Sequence, residues 1–200
     1  MTELVFATGN AGKVRELDSL LGGTGFSVVP QTRFECPGVE ETGLTFIENA
    51  LLKARNAARH TGRAALADDS GLVVDALNGA PGIYSARYAG PDASDTENVA
   101  RLLGAIHDVS QHARSCRFIC VLVYLAHTAD PTPLIAHGIW HGEVATAPRG
   151  NLGFGYDPIF WLPQLACTAA ELEPARKNEL SHRGQALRAL VAQLKTAAAA

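Results

Sequence analysis

Residues 66–77 read LADDSGLVVDAL, so the adjacent carboxylates of Asp68 and Asp69 interrupt an otherwise apolar, strand-like stretch. A carboxylate taken out of water is costly unless a cation or hydrogen-bond donors meet it, and a second one beside it raises the cost. Any fold that buries this stretch must therefore bring positive groups to it from elsewhere. The net charge is −3 over 200 residues, with no polybasic run. The cations must be local, and a nucleic-acid polymer is excluded as a partner.

The 47% hydrophobic content supports a substantial core, as one domain over 1–200 or as two lobes sharing a sheet, and the 18% charged content argues against disorder. "LVFA" (4–7) and "GFSVVP" (25–30) read as strands, with a helix over 13–23 between them that ends at Gly22-Gly23. A second helix is predicted to start at Thr45, whose spacing to Glu48 is that of a capping box; Ser94 and Glu97 repeat the box ahead of "NVARLLGAI". "RFICVLVYLAH" (117–127) is the most strand-like run, with 133–145 as its hairpin partner, and a last helix runs from "ELSHRGQAL" into the terminal alanines. Strands and helices mix throughout, so the class is α/β or α+β around one central sheet. No apolar run approaches the ~20 residues of a membrane helix, and no signal peptide is recognised at "MTELVFATGN". Cys36, Cys116, Cys120 and Cys167 contain no C-x-x-C pair and read as structural thiols of a cytoplasmic protein.

Four further stretches carry chemistry. "VFATGNAGKVREL" sets a Gly-containing turn between strand and helix, where backbone N–H groups and Lys13 suit an anion. It departs from a P-loop at Ala7 and Val14. Lys53 has no carboxylate three or four positions away on its helix, so it is either solvated or a second phosphate-clamping lysine. Glu40-Glu41, in a Gly-flanked loop, are a solvated turn on their own; with Asp68-Asp69 they supply the hard oxygen ligands that suit Mg²⁺. In "GNLGFGYDPIFWLP", Phe160 and Trp161 read as packing, whereas Phe154 between two glycines can offer a flat ligand a stacking face. Lys177, His182 and Arg183, at a helix start capped by Ser181, oppose the helix dipole and are better explained as donors to an anion or a base.

Together, "TGNAGKVREL", "EETGLTFIENALLKARNAA", "ALADDSGLVVDALNGAPGIYSARYAG", "GFGYDPIF" and "SHRGQAL" closely resemble the inosine triphosphate pyrophosphatase family, over residues 8–187. The departures are Asn151-Leu152, where a glycine is commoner, and the terminal alanines. The resemblance implies an α/β fold with a long mixed central sheet flanked by helices, two lobes with an active-site cleft between them, and a homodimer. It implies Mg²⁺-dependent hydrolysis of ITP, dITP and XTP to a monophosphate and pyrophosphate. By motif match Thr8, Gly9, Asn10, Ala11, Gly12, Lys13 and Lys53 hold the triphosphate. Glu41 and Asp69 carry Mg²⁺, and Asp69 also accepts the proton of water. Asp68, Ser70, Phe154, Gly155, Tyr156, Asp157, Lys177, His182 and Arg183 complete the nucleotide site, the last group chiefly at the base. Two rivals remain at this stage: a pyrophosphatase for other modified nucleotides, and a non-catalytic nucleotide-binding module, against which retention of Asp69 counts.

Overall fold

The computed structural model describes residues 2–198. Seven strands form one sheet in the order β2-β1-β3-β4-β5-β6-β7: β1 (Thr2–Phe6), β2 (Phe26–Pro30), β3 (Ala65–Val74), β4 (Ser115–Leu125), β5 (Leu134–Val144), β6 (Phe160–Leu162) and β7 (Cys167–Thr168). β1 pairs in parallel with β2 and β3, while β6 pairs antiparallel with β5 and β7, so the sheet is mixed. The helices are α1 (Ala11–Leu21), α2 (Phe46–Thr61), α3 (Asp95–Ala105), α4 (Pro174–Leu180) and α5 (His182–Ala198). This is the α/β class with helices around a long mixed sheet that the sequence predicts. Among the described residues no helix is long and apolar enough to cross a membrane.

The chain forms two compact units. The first takes the described residues up to Asp69, Cys120–Gly138, and those from Arg183 onward. Its core joins Phe6, Leu66, Cys120 and Leu122 of the strands to Leu17 and Leu21 of α1 and to Leu187, Leu190 and Leu194 of α5. The helical positions recur at three- and four-residue intervals, which puts them on one face of each helix.

The second unit takes Ser70–Ile119 and Ile139–His182. Its core is aromatic at the centre: the Phe118 and Phe160 rings lie 4.5 Å apart, Trp140 lies 4.9 Å from Phe160, and the His182 imidazole stacks on Phe118 at 4.7 Å. Phe160 is fully buried, as its reading as packing requires, but it opens strand β6 rather than lying in a turn.

Several boundaries differ from the sequence expectation. α1 begins two residues early, because the Asn10 side chain accepts from the Gly12 and Lys13 amides and caps the helix there. The predicted C-terminal helix is two helices broken at Ser181, whose extended backbone ends α4; Lys177 therefore lies in the last turn of α4 and not at the start of α5. Of the alanines assigned to that final helix, 199 and 200 lie outside the described residues. The Ser94–Glu97 box forms in full, whereas Glu48 reaches the Leu44 amide and the Thr45 hydroxyl in place of the Thr45 amide. All four cysteines are free, and burial pushes the Cys120 thiol up to about 12.

Gly142 of β5 is required by close approach. A Cβ there would stand 2.6 Å from the Trp161 carbonyl oxygen and 2.8 Å from Phe160 Cζ. Gly142→Ala is expected to destabilise the protein by about 1–3 kcal/mol, the usual cost of overpacking, read as a lower urea midpoint at unchanged slope.

Candidate active site

Asp68 and Asp69 are both buried, and they lie in strand β3 as consecutive residues. Successive side chains on a strand point to opposite faces, and each acid has its own lysine in direct contact. Lys13 Nζ stands 2.8 Å from Asp68 Oδ2, and Lys53 Nζ stands 2.8 Å from Asp69 Oδ1. The two lysines come from α1 and α2, which both precede β3 in sequence.

Around Asp68 the network continues. Arg183, buried at the start of α5, pairs with Glu16 of α1, and its Nε lies 3.9 Å from Asp68 Oδ2. Burial alone would raise Asp68, but Lys13, Arg183 and Lys53 outweigh it and hold its carboxyl well below the usual carboxylate range. Asp69 moves the other way. Burial raises it and the Glu41 charge adds to the rise, with Lys53 offsetting only part. Neighbouring acids driven apart in this way suit different chemical tasks.

Lys53 also bonds Glu41 Oε1 at 2.9 Å. Burial would lower the Lys53 ammonium, yet Asp68, Asp69 and Glu41 keep it above the ordinary lysine range. The sequence offered Lys53 no partner on its own helix; the fold supplies two from distant segments. One ammonium within 3 Å of both Glu41 and Asp69 shows that these oxygens converge to the reach of a single cation. Among the described residues no group of three or more His, Cys, Asp or Glu side chains is placed to hold a metal unaided. Mg²⁺ commonly takes one or two carboxylates, with water and substrate phosphates filling the rest, so the pair Glu41 and Asp69 fits it.

The turn before α1 is partly self-satisfied. Thr8 Oγ1 accepts from the Asn10 amide, and Asn10 takes the Gly12 and Lys13 amides that the sequence offered to an anion. Lys13 remains the group from this turn that reaches the acid pair.

In the second unit, Asp157 Oδ2 accepts from the Phe154 amide at 2.8 Å and from Lys177 Nζ at 2.6 Å, and Lys177 Nζ lies 5.1 Å from the centre of the Phe154 ring. Gly153 makes this possible: its φ is +78°, and a Cβ would fall 2.1 Å from Asp157 Oδ2. The Gly155 amide donates to Asp95 at 2.7 Å, and the Tyr156 hydroxyl donates to the Ser85 carbonyl at 2.8 Å. Burial drives that phenol above its ordinary range. Tyr156 and His182 are thus packed into the second unit, and Ser70 is its first residue, half-buried on β3. Arg183, read from the sequence with Lys177 as a donor to an anion or a base, pairs with Glu16 and has its Nε 3.9 Å from Asp68.

The Ham1 family model matches residues 4–193. The chain belongs to the Ham1 family. This bears out the resemblance read from the five motifs. A Vibrio cholerae protein named dITP/XTP pyrophosphatase is 60% identical over 95% of both chains. One of the same name from Yersinia pseudotuberculosis is 59% identical over 98% of this chain and all of its own. A solved Ham1 protein from Coxiella burnetii superposes with a TM-score of 0.91 at 50% identity, covering 98% of this chain and 100% of that one. The Staphylococcus aureus Ham1 protein gives 0.86 at 40% identity, covering 98% and 99%.

Two residues of this Ham1 chain escaped the sequence reading. Glu16 stands three positions after Lys13, and Asn49 four before Lys53, so each shares a helix face with a lysine already singled out. That spacing is the signal that could have found them. The buried pairing at Lys53 also makes a stability test. Lys53→Met is expected to cost about 3–5 kcal/mol by leaving the buried Asp69 and the half-buried Glu41 unmet. Arg63→Met, which breaks an exposed pair with Glu3, is expected to cost about 1 kcal/mol or less. Urea unfolding of both variants at pH 7 checks the contrast.

Proposed function

We propose that this chain hydrolyses dITP and XTP, and ITP with them, between the α and β phosphates, releasing a nucleoside monophosphate and pyrophosphate. The observation that carries the reading is Lys53 bridging Glu41 and Asp69 in the same buried network as Lys13 and Asp68. The activity comes from relatives of 57–60% identity named dITP/XTP pyrophosphatase. The match to the family model spans both compact units, which supports reading 1–200 as a single working domain.

Phosphoryl transfer asks a protein mainly for positioning and charge neutralisation. In the first unit Lys13, Lys53 and Arg183 face Glu16, Glu41, Asp68 and Asp69. Glu41 and Asp69 would hold Mg²⁺, which supplies Lewis-acid neutralisation of the developing phosphate charge. Thr8 through Lys13, with Lys53, hold the triphosphate. Asp69, kept more basic than its neighbour by burial and Glu41, accepts the proton of the attacking water. Asp68 stays ionised and fixes Lys13. By the family resemblance, Ser70, Phe154 through Asp157, Lys177, His182 and Arg183 bind the nucleotide, chiefly its base. A cytoplasmic location fits the four free thiols, and a homodimer is carried over from the family resemblance.

Asp69→Asn keeps the shape but removes the proton acceptor and a metal charge; kcat for XTP is expected to fall about 10²–10⁴-fold with the fold intact. A purified, folded variant with near-normal kcat would remove Asp69 from the mechanism. Hydrolysis in ¹⁸O-water is expected to label the monophosphate, as attack at the α phosphorus requires. Label in free phosphate would instead mean stepwise γ cleavage and refute the proposed cut.

A further inference from the structure

Asn49 has no exposed surface at all, and a buried amide demands partners. Its Oδ1 accepts the Gly43 backbone N–H at 2.8 Å, and its Nδ2 faces Asp69 Oδ2 at 3.5 Å. Lys53, one helical turn further along α2, bonds the other Asp69 oxygen and Glu41. Two residues on one face of α2 thus each span the same pair of segments: Asp69 on one side and the 41–43 loop on the other.

The loop lies unusually close to the helix there. A Cβ on Gly43 would stand 2.5 Å from Glu48 Cβ and 2.7 Å from Asn49 Oδ1, so only glycine lets its amide reach the Asn49 side chain. The two ends of the amide cannot be exchanged. Reversed, Asn49 would set N–H against the Gly43 N–H and oxygen against a carboxylate. An aspartate would present oxygen to both.

We infer that Asn49 is a positioning residue that fixes the spacing of Glu41 and Asp69 for a divalent cation, bracing the loop that carries Glu41 through the Gly43 amide. This rests on the reading of those two carboxylates as the metal-holding pair. Lys53 is drawn to the phosphates when a triphosphate arrives, whereas Asn49, neutral and buried, keeps its two partners. Its loss should loosen the metal and leave nucleotide affinity alone.

The experiment measures Mn²⁺ binding to nucleotide-free protein by electron paramagnetic resonance, with XTP kinetics in parallel, for wild type, Asn49→Ala, Gly43→Ala and the double variant. Residues that support metal ligands typically cost 10–100-fold in metal affinity when removed. We expect a weakening of about that size in each single variant, a higher Mg²⁺ requirement for turnover, and a KM for XTP at saturating Mg²⁺ within about twofold of wild type. Gly43→Ala breaks the same brace from the loop side, so the double variant should be no worse than the poorer single one. Gly43→Ala keeps the test open where Asn49→Ala fails to fold. Wild-type Mn²⁺ affinity in either folded single variant, or additive losses in the double, overturns the inference while leaving the activity reading standing. A wild-type protein without measurable Mn²⁺ binding overturns the inference, and one that also releases no pyrophosphate from XTP overturns both.

Discussion

Two ionised side chains placed consecutively on a buried strand impose a geometric demand before any chemistry is considered. Because they project to opposite faces, each needs its own close counterion, and positive charge must arrive from two directions. The first compact unit meets this with α1 and α2, which deliver Lys13 to Asp68 and Lys53 to Asp69. The order strand, helix, strand, helix, strand along residues 2–74 therefore has an electrostatic reason as well as a packing one.

Counterion supply is uneven, and the unevenness separates the two acids. Asp68 has Lys13 in direct contact and Arg183 just beyond hydrogen-bonding range, and it stays ionised. Asp69 has one lysine, and shares it with Glu41. A fully compensated carboxylate is a fixed part of the frame. One that is under-compensated and raised retains an appetite for a proton or a cation, as a base or a metal ligand requires.

Much of this was legible in the sequence. The cost of burying Asp68 and Asp69 predicted cationic partners, and the turn before α1 pointed to Lys13. What the sequence withheld was pairing at long range. Glu41 and Lys53 are twelve residues apart across a loop and a helix, and Lys53 and Asp69 sixteen apart, so no local pattern predicts that they meet. Arg183 follows Ser181 and His182 in one motif, yet its partners lie more than a hundred residues back, at Glu16 and Asp68. The short strands β6 and β7, three and two residues long, carry too few positions for an alternating pattern to register. The break between α4 and α5 depends on the backbone of a single serine. The Ser94–Glu97 capping box and the core periodicities, being local, were recovered; ion pairs across the fold were not.

The first unit is also discontinuous along the chain: its core needs Phe6 and Leu17 from the beginning and Leu187, Leu190 and Leu194 from the end. The second unit is encoded almost wholly between them, closing at His182. During synthesis the second unit can therefore gather its residues first, while the first waits for α5, which follows them. Until then Asp68 has Lys13 but not Arg183, and the apolar faces of α1 and β1 lack their covering. Translation thus leaves the acid–lysine cluster unfinished until α5 appears, so a chain cut short before position 183 can gather the residues from Phe154 to Lys177 yet never fully compensate Asp68.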